Sequence, residues 1–268
     1  MTTYAPAAVV APPDISPAPF GLFSQMTLSD FAGDRWENGV TWEGPTCDAV
    51  LAYTATCETP PNFSVYSDGG VNDSAVAYYV RGSYKCSPVG RSISEAQDRA
   101  TANLLAGEQA AVEARFWTEL ADATPLLGNV AGESVSTALG LLEAYIVTQT
   151  GGSGVIHVPR SLIPTLAEHN LISTSGQRMT TILGTGVSAG NYVGNPSDLA
   201  DPPAGFGYMA VTPPLVGQRG EIFTGSDRPG DLLDRAQNNL YALAQRGYLI
   251  GHSTCGTALV TAKIGCCP

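Results

Sequence analysis

Residues 92–122 read SISEAQDRATANLLAGEQAAVEARFWTELAD, and this stretch organises the whole chain. Ser92-Ile-Ser-Glu95 is a capping box, in which the serine hydroxyl takes an orphan amide of the first turn and the glutamate reaches back to the cap. The run that follows has one glycine, Gly107, and no proline until Pro125, which ends it. Leu105, Val112, Phe116 and Leu120 recur at spacings of seven, four and four, which predicts one apolar stripe. About 29 residues rising 1.5 Å each make a helix of roughly 43 Å. That exceeds what a compact domain of this size usually needs, so the question is what lies on either side of it.

Ahead of the helix the chain reads as an arm and a hairpin. Residues 1–19, MTTYAPAAVVAPPDISPAP, hold five prolines and one acid, Asp14. Such a segment favours an extended, polyproline-like path and has little with which to build a core of its own. A neighbouring subunit is the simplest surface for it. From Phe20 to Trp42 the composition turns aromatic, with Phe20, Phe23, Phe31, Trp36 and Trp42. Thr27-Leu-Ser-Asp30 carries an N-cap pattern for a short helix, and Asn38-Gly39 reads as a turn. Large rings in an arm anchor it, since they bury much area at low entropic cost. Residues 45–90 read as a long β-hairpin, with strands at Val50–Ala55 and Ala75–Arg81 and turn residues between them.

Behind the helix the pattern is mixed. A second helix is predicted from Ser134 or Ser136 to Thr150, with Leu139, Leu142, Tyr145 and Ile146 inward and Gly151-Gly-Ser-Gly154 ending it. Val155–Val158 reads as a buried strand and Arg160–Asn170 as helical. Short strands follow at Thr180–Leu183, Tyr208–Val211 and Glu221–Phe223. Asp231–Ala244 reads as a helix, and Tyr248–Gly251 with Thr257–Ile264 as a closing hairpin. The class is α+β.

Composition narrows the function. The chain has 268 residues and 44% hydrophobic residues but only 14% charged ones, against roughly 25% in a typical soluble domain. A surface so poor in charge suits protein neighbours. Thirteen Lys+Arg face 24 Asp+Glu, giving −11, and the only lysines are Lys85 and Lys263. Gripping phosphate backbones takes a basic stripe, which is missing. No apolar run approaches the roughly 20 residues of a membrane span, and no basic n-region precedes an apolar core, so no secretory signal is expected.

Catalytic patterns fall short one by one. Gly184-Thr-Gly186-Val-Ser-Ala-Gly190 resembles a dinucleotide fingerprint, yet Asn191, Gly194, Asn195 and Pro196 leave no helix to meet a pyrophosphate. Gly251-His-Ser253-Thr-Cys-Gly256 has one residue too many for a nucleophile elbow. A hydrolase using Ser253 or a cysteine stays open as an alternative, because partners can meet only in space. His157, His169 and His252 stand far apart. The six cysteines include no CxxC pair; His252, Cys255, Cys266 and Cys267 could be drawn as a metal site, but the plainer reading is thiols with one pairing among Cys47, Cys57 and Cys86. The acids Glu108 and Glu113, beside Arg99 and Arg115, read as solvated or bridging an interface. No cofactor is expected.

At this point the order of parts resembles the major capsid proteins of tailed bacteriophages, the Hong Kong 97-like fold shared with encapsulin shells. Leu104–Glu113 through Phe116-Trp117-Thr118, Arg35-Trp36-Glu-Asn-Gly39-Val and Gly154-Val-Ile-His-Val-Pro-Arg160 are similar to phrases in actinobacterial-phage sequences. The resemblance implies an N-terminal arm at 1–45, an E-loop hairpin at 46–90, a spine helix and peripheral domain at 91–165, an axial domain at 166–247, and closing strands at 248–268 that return to the peripheral domain. It implies a structural protein, not an enzyme, that self-assembles into hexamers and pentamers of an icosahedral head around double-stranded DNA without sequence-specific contact. Phe20, Phe23, Trp36 and Trp42 would be assembly contacts. Scaffold, portal and decoration proteins would be its partners, the virion its location, and the host bacterial cytoplasm its place of assembly. The long scaffolding segment of the type member is lacking, which implies a separate scaffold or none. Without a lysine among residues 58–74, a covalent Lys–Asn chainmail is not expected. An encapsulin-like shell, or another phage head or tail protein, is the alternative.

Overall fold

A computed structural model of the chain describes residues 15–31, 36–43, 72–89, 92–120, 125–129, 131–192, 199, 201–225, 233–234 and 236–264. The long helix is α1, Ile93–Glu119, and Ser92 Oγ accepts the Glu95 amide at 3.1 Å, as the capping box predicts. Ahead of it come β1 (Leu28–Asp30), β2 (Val40–Glu43), β3 (Asn72–Ala75) and β4 (Tyr78–Cys86). Behind it come β5 (Leu126–Leu127), α2 (Val135–Thr150), β6 (Val155–Pro159), α3 (Ile163–Glu168), β7 (Ile172–Ser175), β8 (Arg178–Thr181) and β9 (Gly186–Gly190). The chain closes through β10 (Phe206–Thr212), β11 (Val216–Thr224), β12 (Leu233–Asp234), β13 (Asn239–Gly251) and β14 (Ala258–Lys263).

Two sheets carry the fold. In the five-stranded sheet, β13 is central, with β4 antiparallel along one side and β11 along the other; β1 lies parallel outside β11, and β12 pairs the start of β13. The seven-stranded sheet has the order β5-β14-β10-β6-β9-β8-β7. Its strands alternate. Met209 and Val211 pack with α2 and α3 on one face, while Tyr208 and Ala210 point into the cluster built around α1.

Helix α1 bridges the two sheets, and its buried row shows how. Ala96, Ala100, Leu104, Glu108, Val112, Phe116 and Leu120 are all buried, one every four residues. Each such step rotates roughly 40° around a 3.6-residue helix, so the row winds across the helix surface. Its first half meets β4 and β13, where a Cβ on Gly82 would lie 2.4 Å from the Leu104 amide nitrogen. Its second half meets the seven-stranded sheet, where the Phe116 ring sits 4.9 Å from that of His157. Leu105, expected on the stripe, is instead 41% exposed, and its neighbour Leu104 takes the inward place.

Helix α2 forms as read, capped by Ser134 at its start and by left-handed Gly151 at φ 67° at its end. Leu139, Leu142 and Ile146 are buried and Tyr145 is half-buried. The expected helix at 231–244 is corrected: β12 and β13 occupy its described part. Leu240, Ala242 and Ala244 alternate inward on β13, and pairing on both edges overrides the helical propensity of Leu, Ala and Arg. The closing hairpin is corrected too, because β13 belongs to the five-stranded sheet whereas β14 pairs β10 and β5 in the other. The short helix at 27–30 is a strand, β1, preceded by a 3-10 turn at Leu22–Ser24. Arg160–Asn170 forms a 3-10 turn and α3. The hairpin's first strand, Val50–Ala55, lies outside the described residues; β3 pairs β2, and β4 joins the five-stranded sheet. A boundary between 165 and 166 falls inside the seven-stranded sheet, separating β6 from its neighbours β9 and β10.

Candidate functional site

The residues singled out in the arm converge on one feature. From Ala18 to Asp30 the chain forms a strap across both sheets and α1. Gln109 Nε2 donates to Ala18 O at 3.0 Å, Arg160 Nη2 to Pro19 O at 2.5 Å, and Ala189 N to Phe20 O at 2.7 Å. Gln25 Nε2 donates to Val187 O at 2.9 Å and Met179 O at 3.2 Å. Strand β1 then pairs β11 in parallel. Phe20 holds a φ of 64°, which is uncommon for a bulky side chain and is fixed here by its bonded carbonyl.

Glu113 is the centre of the strap. Buried on α1, its carboxylate accepts the Leu22 amide at 2.9 Å, Gln109 Nε2 at 2.9 Å and the Asn191 amide at 2.6 Å. Glu108, one turn earlier, takes Arg246 Nη1 with both oxygens at 3.1 and 3.0 Å. The expectation that these acids are solvated or face an interface is therefore corrected: both are interior. One clue was present in the sequence, since Glu108 falls on the four-residue row with Leu104, Val112 and Phe116.

Each candidate assembly contact has an identified place. Phe20 packs on the cluster around α2, and Phe23 stacks on Tyr248 with ring centroids 5.8 Å apart. Trp36 stacks on Phe31 and lies flat on β13, where a Cβ on Gly247 would come within 2.3 Å of its ring. Trp42 covers Gly251 in the same way, also at 2.3 Å. All four rings touch this chain's own body. The third tryptophan, Trp117, is fully buried and stacks on Tyr192 at 4.9 Å.

Among the described residues, those with catalytic overtones do not assemble a reaction centre, and Cys47, Cys57, Cys266 and Cys267 lie outside the described residues. His252 Nδ1 lies 3.0 Å from Ser253 O and 3.1 Å from Thr257 Oγ1, while Ser253 Oγ accepts the Cys255 amide, so no base meets the Ser253 hydroxyl in these contacts. Gly186–Gly190 is strand β9, so the glycines lie within a strand and not at a helix start. His157 is fully buried between neutral hydroxyls, Tyr192 OH at 3.0 Å from Nδ1 and Thr212 Oγ1 at 2.9 Å from Nε2. Burial, and then the nearby His252, pushes its pKa down to about 3; His252 is lowered by burial as well. Among the described residues no three His, Cys, Asp or Glu side chains group as metal ligands. Cys86 is a free thiol, and Cys255 is disulfide-bonded.

No protein-family model and no curated protein matches the chain by sequence. Solved structures do match by fold. The capsid of an empty GTA particle aligns at 11% identity and a TM-score of 0.55, over 98% of this chain and 96% of that one. The capsid of the native GTA particle aligns at 9% and 0.54, over 98% and 96%. The capsid of Ralstonia phage GP4 aligns at 9% and 0.52, over 100% of this chain and 96% of that one. Identities this low make the likeness one of backbone path, and over nearly its whole length the chain has the fold of phage-type capsid proteins.

Proposed function

We propose that the chain is a shell-forming major capsid protein of a tailed phage, with a structural and not a catalytic role. The observation that carries this reading is the near full-length likeness in fold to capsid chains, at TM-scores above 0.5. Hexamers and pentamers built from heterologous contacts would close into an icosahedral head around double-stranded DNA. The acidic balance of −11 supports a wall that does not hold DNA by its backbone. Within this reading the Hong Kong 97-like names attach to layers. The axial layer is the seven-stranded sheet with α2 and α3; the peripheral layer is α1 with the five-stranded sheet; β4 belongs to the E-loop; and the arm runs to residue 45. Virion location, assembly in the bacterial cytoplasm, and scaffold, portal and decoration partners follow from the same reading. Among the described residues no helix is long and apolar enough to cross a membrane.

The test is particle size. Purified chain is followed by light scattering and negative-stain microscopy, alone and under crowding. Closed shells or rings of five and six support the proposal. A persistent 27.8 kDa monomer under all conditions overturns it.

A further inference from the structure

A cleft of 260 Å³ lies where three parts of the chain meet: the end of β3, the last turn of α1, and the turn from β13 to β14. Phe116 and Leu120 of α1, Ile250 of β13, and Val76 give it an apolar wall. Phe116, Leu120 and Ile250 belong to the buried core, whereas Val76 is 69% exposed and stands at the rim. The apolar side is therefore held in place by the packing of α1 on the sheets, as in a pre-formed small-molecule site. The opposite side is fixed as well, because Asp73 on β3 accepts the Thr254 amide and hydroxyl at 3.1 Å.

The polar groups on that side offer acceptors. His252 Nδ1 lies 3.0 Å from Ser253 O, and a carbonyl oxygen only accepts, so Nδ1 carries the proton. Burial lowers the His252 pKa below its ordinary value, so the ring is neutral at pH 7 and Nε2 keeps a bare lone pair. Thr254 Oγ1 donates to Asp73 and Thr257 Oγ1 donates to Ser253 O at 3.0 Å, so both hydroxyls direct their protons into the protein. Glu119, also in the lining, pairs with Arg115 at 2.6 Å. Such a wall suits a ligand that donates a hydrogen bond. It disfavours carboxylates and phosphates, which bring only acceptors and meet the charge of Asp73 behind Thr254. With Glu119 already matched by Arg115, a neutral donor fits better than an ammonium ion, which would lose its hydration without a free partner charge. A cavity of about 150 Å³ lined by Leu, Ile and Phe takes a benzene ring, so this larger cleft admits a ring that carries a hydroxyl.

We propose that this cleft binds a small neutral aromatic alcohol of phenol size, its ring against Phe116, Leu120 and Ile250 and its hydroxyl donating to His252 Nε2. The site lies within one chain and does not depend on the shell reading. A bound ring would tie the end of β3 to α1 and to the β13–β14 turn. The test uses the full chain with nitrogen-15-labelled histidine, titrated with phenol at neutral pH. Solution spectra serve for subunits and magic-angle spinning spectra for shells, so assembly does not decide the outcome. The chain has three histidines, and His157→Gln and His169→Gln assign them by elimination without altering His252. The expected result is a saturable upfield shift of the His252 Nε2 resonance while that of exposed His169 stays in place. Fluorobenzene, a similar ring without a donor, should bind about fivefold more weakly, the worth of one hydrogen bond, and benzoate more weakly still. Phenol that leaves the His252 resonance unmoved overturns the proposal. Equal binding of phenol and fluorobenzene overturns it too, since the imidazole would then play no part. Benzylammonium binding more tightly than phenol would overturn the neutral class of ligand.

Discussion

Acidification tests the interior between α1 and the seven-stranded sheet. His157 is fully buried, its neighbours are the hydroxyls of Tyr192 and Thr212, and its pKa is pushed down to about 3 by burial and by His252. The nearest charged or titratable groups around this cluster are His252, Glu113 and Arg160. The unfolded chain takes the proton near pH 6.5, whereas the folded chain resists it until about pH 3. Between those values the unfolded state binds more protons, so stability falls as pH falls, starting near 6.5 and levelling off below 3. At pH 5 the difference is about 1.5 pH units, or about 2 kcal/mol at 1.36 kcal/mol per unit; at pH 4 it is about 3 kcal/mol. The assay is urea unfolding of unassembled subunits at pH 7 and pH 5, followed by tryptophan fluorescence, for wild type and His157→Gln. Glutamine keeps a polar side chain and cannot charge. It lowers stability at pH 7 by about 1–3 kcal/mol through imperfect hydrogen bonds. Carboxylate protonation affects both proteins and cancels in the comparison. The variant is therefore expected to lose about 2 kcal/mol less on acidification than wild type. Equal losses in the two proteins would refute the reasoning, because His157 would then not be the group that resists the proton.

Three further perturbations probe the bridge. Glu113→Ala strips the acceptor from the Leu22 and Asn191 amides and should cost about 3 kcal/mol or more, with the strap around residues 18–25 becoming the first site cut in limited proteolysis; unchanged cleavage there would sink its anchoring role. Glu108→Ala should cost about 3–5 kcal/mol by leaving Arg246 buried without its partner, while the double change Glu108→Leu with Arg246→Met should recover most of that loss. Gly82→Ala puts a methyl where the Leu104 amide nitrogen lies 2.4 Å away, so α1 must lift from β4, and a loss of about 1–3 kcal/mol is expected in thermal unfolding.

What could be read from the residues depended on whether the signal was local. The capping box at Ser92, Pro125 and Gly151 are local devices, and α1 and α2 start and stop where these residues say. Strand β13 has no such marker: Leu240-Tyr-Ala-Leu-Ala-Gln carries good helix formers, and only the pairing with β4 and β11 makes its two-residue alternation decisive. The stripe on α1 misplaced Leu105 because a row at seven and four suits a helix facing one partner, whereas this helix turns its buried row from one sheet to the other. The aromatic arm residues were legible as anchors, and Phe20, Phe23, Trp36 and Trp42 do lie against apolar surface. Which molecule offers that surface was not legible, since a ring buried on its own subunit and one buried on a neighbour have the same composition around them. Glu113 was missed for a similar reason. Apart from Gln109, its partners are main-chain amides 91 and 78 residues away, and amides leave no mark on a sequence.

The interior acids also change what the net charge means. Asp73, Glu108, Glu113 and Glu143 are buried. Asp73 accepts the Thr254 amide and hydroxyl at 3.1 Å, Glu143 accepts the hydroxyls of Thr181 and Thr185 at 2.6 Å, and Glu108 is matched by Arg246. Among the described residues, these four of the chain's 24 acids and one of its 13 cations act within the fold, and taking them away leaves −8 of the formal −11. Those buried carboxylates are acceptors for amides, hydroxyls and a guanidinium of the same chain, so their charge says nothing about what the surface repels. The remaining excess still opposes a phosphate backbone. A shell subunit placed by this reading would keep DNA from adhering with the surface share of its charge, while the interior share fixes the strap, α1 and the sheets to one another. The two roles separate experimentally. Neutralising exposed Asp98 should leave unfolding unchanged and raise nonspecific DNA retention at low salt, whereas Glu113→Gln should weaken the fold and leave DNA retention as it was. A fold that weakens in both cases would mean that the surface acids, too, are structural.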